Sequence, residues 1–498
     1  MNTRGGLSRD ERGFFETVNQ AVLSNPFSDE RSAIDRRLAQ LAPDAPEADV
    51  LDAAIAAVRR RIDHLDATGR GTLQTLDPRD HTIATNAFLF DFFHRFAETF
   101  DTLIRDQIAA GTDPIAVPFA AEAIGDLCRR GIPDEAARRY FALSFQFRRA
   151  YYFIKTGLVG RCPCMRTLRR SLWNNVFTAN LNLYNEHLWN RLEDFSTMVL
   201  GGTGSGKGTV AMSIGRSGFI PFDSQRGRFV ESFTQSFVAI NLSEFSEALI
   251  ESELFGHQKG AFTGAIENHQ GVFSRCSPHG AIFLDEIGEV SAPLQIKLLK
   301  VLEERLFRPV GSHREERFHG RIIAATNRGL EEIEQGRVFR DDFFFRLCSD
   351  MIWVPPLRQR LEEDPAELDD LLAHTVERTV GHPSPDLAEM VGGVIRRELG
   401  ERYPWPGNVR ELGQCVRRIL LTGSCRTVKP AAADAEPSSL AREMDRGSLS
   451  AQRLLEGYCH LLYQRLGTFG EVARRTALDR RTVKKYVLAR EEAVKGDS

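Results

Sequence analysis

Gly201-Gly202-Thr203-Gly204-Ser205-Gly206-Lys207-Gly208-Thr209 follows directly on the apolar run Thr197 to Leu200, and the reading of that junction decides the fold. Glycines at these intervals let successive backbone N–H groups turn toward an anion, and the Lys at the end of the run reaches terminal phosphates. The helix predicted to follow adds the positive end of its dipole. Gly208 stands where most such loops carry the Ser or Thr that holds Mg²⁺. Thr209 is next along, but a helix turns it away.

Two further apolar runs end in site-type residues. Ala281 to Leu284 leads into Asp285-Glu286, which suits an Asp in a Mg²⁺ shell beside a Glu that polarises an attacking water. Ile322 to Ala325 leads into Thr326-Asn327 and places a polar side chain at a second strand end. Short buried strands, each followed by a loop and a helix from about 155 to 350, predict an α/β parallel sheet with its site at the strand C-termini. Between these motifs lies Gly260-Ala261-Phe262-Thr263-Gly264-Ala265. Taken alone it reads as a glycine-rich turn with an inward Phe. Placed after a phosphate loop, it predicts a Phe held out toward a partner.

The chain has 498 residues, 42% hydrophobic and 27% charged, which predicts about three domains with real cores. Its formal net charge of −3 carries no information about nucleic acid. No apolar stretch approaches the roughly 20 residues that cross a bilayer, and Met1 to Arg12 lacks a signal-peptide core, so a cytoplasmic protein with no membrane contact is expected. Eight cysteines without a disulfide framework predict reduced thiols. Cys162 and Cys164 lack a second pair at zinc spacing, which argues against a metal there.

Residues 1–154 read as a helical domain: Phe88, Leu89, Phe92, Phe93, Phe96 and Phe100 recur at helical spacing. The strand and acidic-cluster pattern of a phosphoacceptor domain is missing. Residues 155–354 form the predicted α/β subdomain, 355–428 a helical lid, 429–449 a linker and 450–498 a small helical unit. Within that unit Phe469 to Tyr486 reads helix, turn, helix, with Arg480, Arg481, Thr482, Lys484 and Lys485 on a basic face.

The central region resembles the AAA+ domain of bacterial enhancer-binding proteins, which activate RNA polymerase carrying sigma-54. The resemblance covers roughly residues 157–425 and is strongest from Glu251-Ser252-Glu253-Leu254-Phe255-Gly256-His257 through the GAFTGA string. It implies an ATPase that uses ATP and Mg²⁺, with Lys207 on phosphates, Asp285 and Glu286 as the Walker B pair and Asn327 as first sensor. It also implies that Asn241 restrains the catalytic Glu, that Arg340 and Arg346 act as fingers in a neighbouring subunit, and that Arg410 contacts the γ-phosphate. The implied assembly is a hexameric ring whose residues 260–265 touch the sigma factor.

The basic unit resembles the Fis-type helix-turn-helix that ends many of these proteins, which implies binding to upstream, enhancer-like DNA. Two departures stand out: Gly202 and Gly208 occupy positions usually acidic in the family. Thr178 to Asp194 and Ile220 to Ser232 look like insertions, read as surface elaboration. Two other readings stay open: an AAA+ remodeller of a different protein client, and a DNA-bound regulator that binds nucleotide with little turnover. The signal for the N-terminal domain is not legible.

Overall fold

The computed structural model describes residues 6–42, 44–425 and 450–496. The 429–449 linker lies outside them. Two compact units result, Met1–Cys425 and Arg426–Ser498.

The strands are β1 (Thr197–Leu200), β2 (Phe222–Asp223), β3 (Arg228–Phe229), β4 (Phe237–Asn241), β5 (Ala281–Asp285), β6 (Leu306–Phe307), β7 (Glu316–Arg317), β8 (Arg321–Thr326) and β9 (Asp350–Trp353). Five form one sheet in the order β4-β5-β8-β1-β9, parallel at every pairing. Every residue of β1 and β8 is buried. A parallel strand covered on both faces is a continuous apolar run, and that is how these segments read in the sequence. The register sets Asn241 beside Asp285 and Leu200 beside Thr326, so the motif-bearing ends fall on one edge.

Residues 6–157 are helical apart from their connections, as expected, and bury two aromatic-rich cores. The helix Asp134–Gly157 runs unbroken across position 154. It lies along the helix Lys207–Gly215 and covers that helix's C-terminal end. Arg149, fully buried, donates to the carbonyls of Arg216 and Gly218, and Gln146 Nε2 donates to Ser217 O at 2.8 Å. A guanidinium at a helix C-terminus meets the negative end of the dipole and satisfies carbonyls that have no partner within the helix. Burial pulls Arg149 down to about 9.

Both apparent insertions correct the surface reading. Tyr184 is fully buried and its hydroxyl donates to Gln146 Oε1 at 2.9 Å. The β2–β3 hairpin seats Phe222 and Phe229 against Phe141, and Phe229 stacks on Phe145 at 4.4 Å. Ile220, Phe229 and Phe233 belong to the core of the N-terminal helices. Their apolar side chains, rather than their length, dictate the outcome.

The thiol expectation also needs correction, because Cys415 and Cys425 form a disulfide. The helix Asn408–Thr422 ends at Gly423, whose φ of 74° turns the chain back. That turn brings the two Cα atoms to 5.1 Å, within bridging distance. No described helix is long and apolar enough to cross a membrane.

The second unit has three helices, Ala451–Leu466, Phe469–Thr476 and Arg480–Gly496, around Cys459, Leu462, Val472, Val483 and Val487. Ser450 and Thr468 cap the first two.

Candidate functional site

Gly204 and Gly206 take φ of 74° and 110°, the left-handed conformations that the turn into the helix Lys207–Gly215 requires. Lys207 is buried, and its Nζ donates to Gly201 O at 3.0 Å and lies 3.9 Å from Glu286 Oε1. Ser205 Oγ is buried inside the loop without a hydrogen-bond partner. An unpartnered buried hydroxyl two residues from a buried ammonium fits an anionic oxygen, which would give the hydroxyl its missing partner and the ammonium a further counter-charge.

Asp285 ends β5, and Glu286 follows with φ of 55°. The Glu286 N–H donates to Asp285 Oδ1 at 3.1 Å, and Asn327 N donates to Glu286 Oε2 at 3.3 Å. Asn327 Nδ2 reaches Thr203 Oγ1 at 3.3 Å, so the ends of β5 and β8 and the loop after β1 meet. The helix that begins at Asn408 closes over this loop: Asn408 Nδ2 donates to Thr203 O at 3.0 Å, and Arg410 N to Gly204 O at 3.3 Å. A Cβ on Gly204 would sit 2.4 Å from Gly407 O, which explains a glycine there.

These elements line a cleft of about 750 Å³. Its lining combines the apolar Leu158, Val159, Met165 and Leu371 with Lys207, Asp285, Glu286 and Arg410. Arg378 and Arg417 also face it and were not picked out from the sequence. Neither they nor Arg410 has an ion-pair partner among the described residues, so the cleft presents excess positive charge. The available signal was the placement of Arg410 and Arg417 two turns apart on one helix face.

Not every expected residue joins the cleft. Asn241 donates to Glu244 Oε1 at 3.1 Å, accepts from Ser243 and makes no hydrogen bond to Glu286. Arg340 pairs with Asp342 at 2.9 Å, and Arg346 Nε donates to Leu302 O at 3.1 Å. Neither arginine lines the cleft of its own chain. Gly208 and Thr209 do line it, and a Cβ on Gly208 would meet nothing nearer than Phe283 at 4.0 Å. Gly202 faces Asn408, whose Nδ2 is 3.2 Å from where its Cβ would stand. For Mg²⁺ the residues supply the Asp285 carboxylate but no hydroxyl at 208, a partial fit.

The string 260–265 forms a tight exposed loop. Gly260 N donates to Ala265 O at 2.8 Å and Ala265 N to Phe262 O at 3.0 Å, with φ of 82° at Gly260 and 101° at Gly264. Ala261 rests against Gly311, Thr263 is exposed, and Phe262 is 37% exposed with its ring edge-on to His257 at 4.9 Å. Ile266, just beyond, is 76% exposed. Phe262 and Ile266 thus stand as neighbouring apolar side chains at the surface.

In the second unit Arg480, Arg481, Lys484 and Lys485 are exposed at the start of the last helix. Asp479 accepts from Arg481 N at 2.8 Å and from the Thr482 hydroxyl, so Thr482 serves the helix cap. That cap, led by the Thr482 bond, holds the Asp479 carboxyl below its usual range.

A parallel sheet with a phosphate-type loop after β1, paired carboxylates at the end of β5 with β8 lying between the two strands, and a helical lid defines a domain of the AAA+ ATPase type. Residues 182–352 match the family described as the sigma-54 interaction domain. The chain is 37% identical over 286 residues to the Nif-specific regulatory protein of Azotobacter vinelandii, covering 56% of this chain and 47% of that protein. The Nif-specific regulatory protein of Klebsiella pneumoniae is 42% identical over 225 residues, 45% of this chain and 39% of its own length. The C4-dicarboxylate transport transcriptional regulatory protein DctD of Rhizobium meliloti is 32% identical over 372 residues, 74% of this chain and 73% of DctD. The chain thus belongs to the family of sigma-54-dependent transcriptional regulators. Its match spans less than half the length of the first two relatives.

Proposed function

We propose that this protein activates transcription by hydrolysing ATP in a ring and driving residues 260–265 against the sigma-54 factor of RNA polymerase. The observation that carries the reading is the convergence of Lys207, Glu286 and Asn327 on one loop, within the same unit that presents Phe262 at its surface. In this reading residues 155–354 are the ATPase subdomain and 355–428 its lid. Lys207, Arg378, Arg410 and Arg417 hold the phosphates, while Leu158, Val159 and Met165 receive the base. Glu286 orients and deprotonates the attacking water, and its own orientation comes from the Asn327 N–H. Mg²⁺, held by Asp285 when bound, screens the phosphate charge. Arg340 and Arg346 complete a neighbour's site, which supports an oligomer, hexameric as in the resemblance. Trans arginines of this kind contribute roughly 10³ to 10⁵ in rate, so assembly acts as the switch.

Residues 450–498 are the DNA reader of this cytoplasmic protein. Helix Phe469–Thr476 and helix Arg480–Gly496 make a helix-turn-helix, with Arg481 and Lys485 toward base edges or phosphates. One observation favours a second reading, a DNA-bound regulator with slow turnover: Gly208 leaves no hydroxyl for the metal. Purified sigma-54 polymerase on a promoter with an upstream site decides between them. ATP-dependent transcripts with phosphate release support activation, and nucleotide binding without phosphate release supports the second reading. Phosphate release without transcripts would point to another client.

A further inference from the structure

The N-terminal helices, together with Trp173 and Leu181, line a second pocket, of about 230 Å³ and open at one side, distinct from the nucleotide cleft. Its wall is aromatic: Phe90 and Phe93 from the helix His81–Arg95, Phe147 from Asp134–Gly157, and Trp173 from Pro163–Phe177. The Phe147 and Trp173 rings stack at 6.1 Å. A well-packed interior leaves few voids of this size, and an apolar cavity of roughly 150 Å³ already accepts benzene. One ring, or two fused rings, is therefore the size that fits.

Four polar side chains on this wall, Ser144, His94, Tyr140 and Tyr151, face the space without a hydrogen bond to any described residue. Ser144 is buried and His94 sits between Phe90 at 4.5 Å and Phe93 at 5.3 Å, and neither makes a hydrogen bond to another protein group. Burial, reinforced by Arg31, Arg148 and Arg59, drops His94 to about 3, so its imidazole is neutral and offers one donor and one acceptor. The charges nearby are already matched: Arg31 pairs with Asp35 at 2.9 Å, and Arg148 forms a two-pronged pair with Asp101. No unmatched charge awaits an ionic ligand. A hydroxyl or carbonyl on an otherwise apolar molecule is what Ser144 and His94 lack.

We propose that this cavity is an effector site for a neutral one- or two-ring aromatic molecule carrying a single hydroxyl or carbonyl. Two of its walls also reach the nucleotide cleft. The helix Asp134–Gly157 carries Ser144 and Phe147 at the cavity and Gly157 at the cleft, and the helix Pro163–Phe177 carries Trp173 at the cavity and Met165 and Leu168 at the cleft. Occupancy that shifts either helix shifts the wall of the cleft. This coupling, unlike the binding itself, rests on the nucleotide reading above.

The test is calorimetric titration of the full chain with 1-naphthol, against the anion of 1-naphthoic acid. The expected result is saturable one-site binding of 1-naphthol and at least tenfold weaker binding of the anion. Ser144→Leu, which fills the cavity and removes the hydroxyl, should weaken 1-naphthol at least tenfold in a chain whose melting transition shows it folded. If that variant does not fold, Leu89→Phe fills the same space from another helix and decides the matter. Absence of saturable heat, or a folded filling variant that binds 1-naphthol as the parent does, overturns the site. Saturating 1-naphthol should change the affinity for a fluorescent ATP analogue at least threefold. Normal 1-naphthol binding with unchanged analogue affinity would overturn the coupling alone.

Discussion

Arg149 donates to the carbonyl of Gly218 at 2.7 Å, from a helix of the N-terminal region to the chain just beyond the phosphate-loop helix. Arg149→Ala leaves the Gly218 and Arg216 carbonyls without their donor and opens a void between Phe145 and Phe233. The expected loss is about 3 kcal/mol, in the range for breaking a buried hydrogen-bonded network. Urea melts of the two proteins measure it, and equal midpoints would show that this contact is not structural.

Truncation before residue 155 should fail to yield a soluble ATPase. The cut falls inside the helix Asp134–Gly157 and exposes Phe229, Phe233 and Tyr184, all buried in the intact chain. Recovery of a monodisperse, folded fragment from expression of residues 155–498 would contradict this.

His94 makes stability depend on pH. Its folded value is about 3 against 6.5 in the open chain, so between those limits the unfolded state binds more protons. Stability from this group is present above 6.5 and is lost as pH falls toward 3. At pH 5 the loss is about 2 kcal/mol at most, from 1.36 kcal/mol per unit. His94→Leu should flatten the stability difference between pH 7 and pH 5 relative to the parent. Parallel profiles would mean that the ring is protonated in the folded state.

At the cleft, Glu286→Gln should keep nucleotide bound while phosphate release stops, because the amide keeps the shape but cannot take a proton. Arg417→Ala should instead weaken nucleotide binding about tenfold, the size of a 1.4 kcal/mol loss. Equilibrium binding and phosphate release, measured on both variants, separate the two roles.

Thr263→Ala and Arg346→Ala probe coupling and assembly. The first should lose transcription while hydrolysing ATP at close to the parent rate, since Thr263 is exposed on the loop and absent from the cleft. The second should depress parent activity when the two proteins are mixed, and parent activity per chain should rise with concentration. Rates that follow simple averaging would remove Arg346 from any neighbour's site.

Much of the sheet was legible because β1, β5 and β8 are buried on both faces and read as unbroken apolar runs ending in polar residues. The glycine-rich turn before the helix Lys207–Gly215 was legible for a related reason: Gly204 and Gly206 take positive φ there, which the glycines in the sequence permit. Arg378 and Arg417 were not, because an arginine on an amphipathic helix looks like a solvated face until the lid is placed over the loop. The β2–β3 hairpin has two residues per strand, too few to show alternation, so Phe222 and Phe229 carried no sign of their partners. Asn241 lies beside Asp285 as the register requires, yet its side chain turns to Ser243 and Glu244, a choice set by the local turn.

The hairpin that seats Phe222 and Phe229 against Phe141 bears on how such chains can be recombined. Sensor halves of a modular regulator are interchangeable only when the seam is a tether. Here the α/β half carries aromatic pegs whose sockets belong to the N-terminal helices. A chimera joined at residue 155 would keep the pegs and lose the sockets, leaving Phe222, Phe229 and Phe233 to promote aggregation. Within the described chain the transplantable block is therefore residues 6–425, and inheritance of a new sensor requires the hairpin to travel with it.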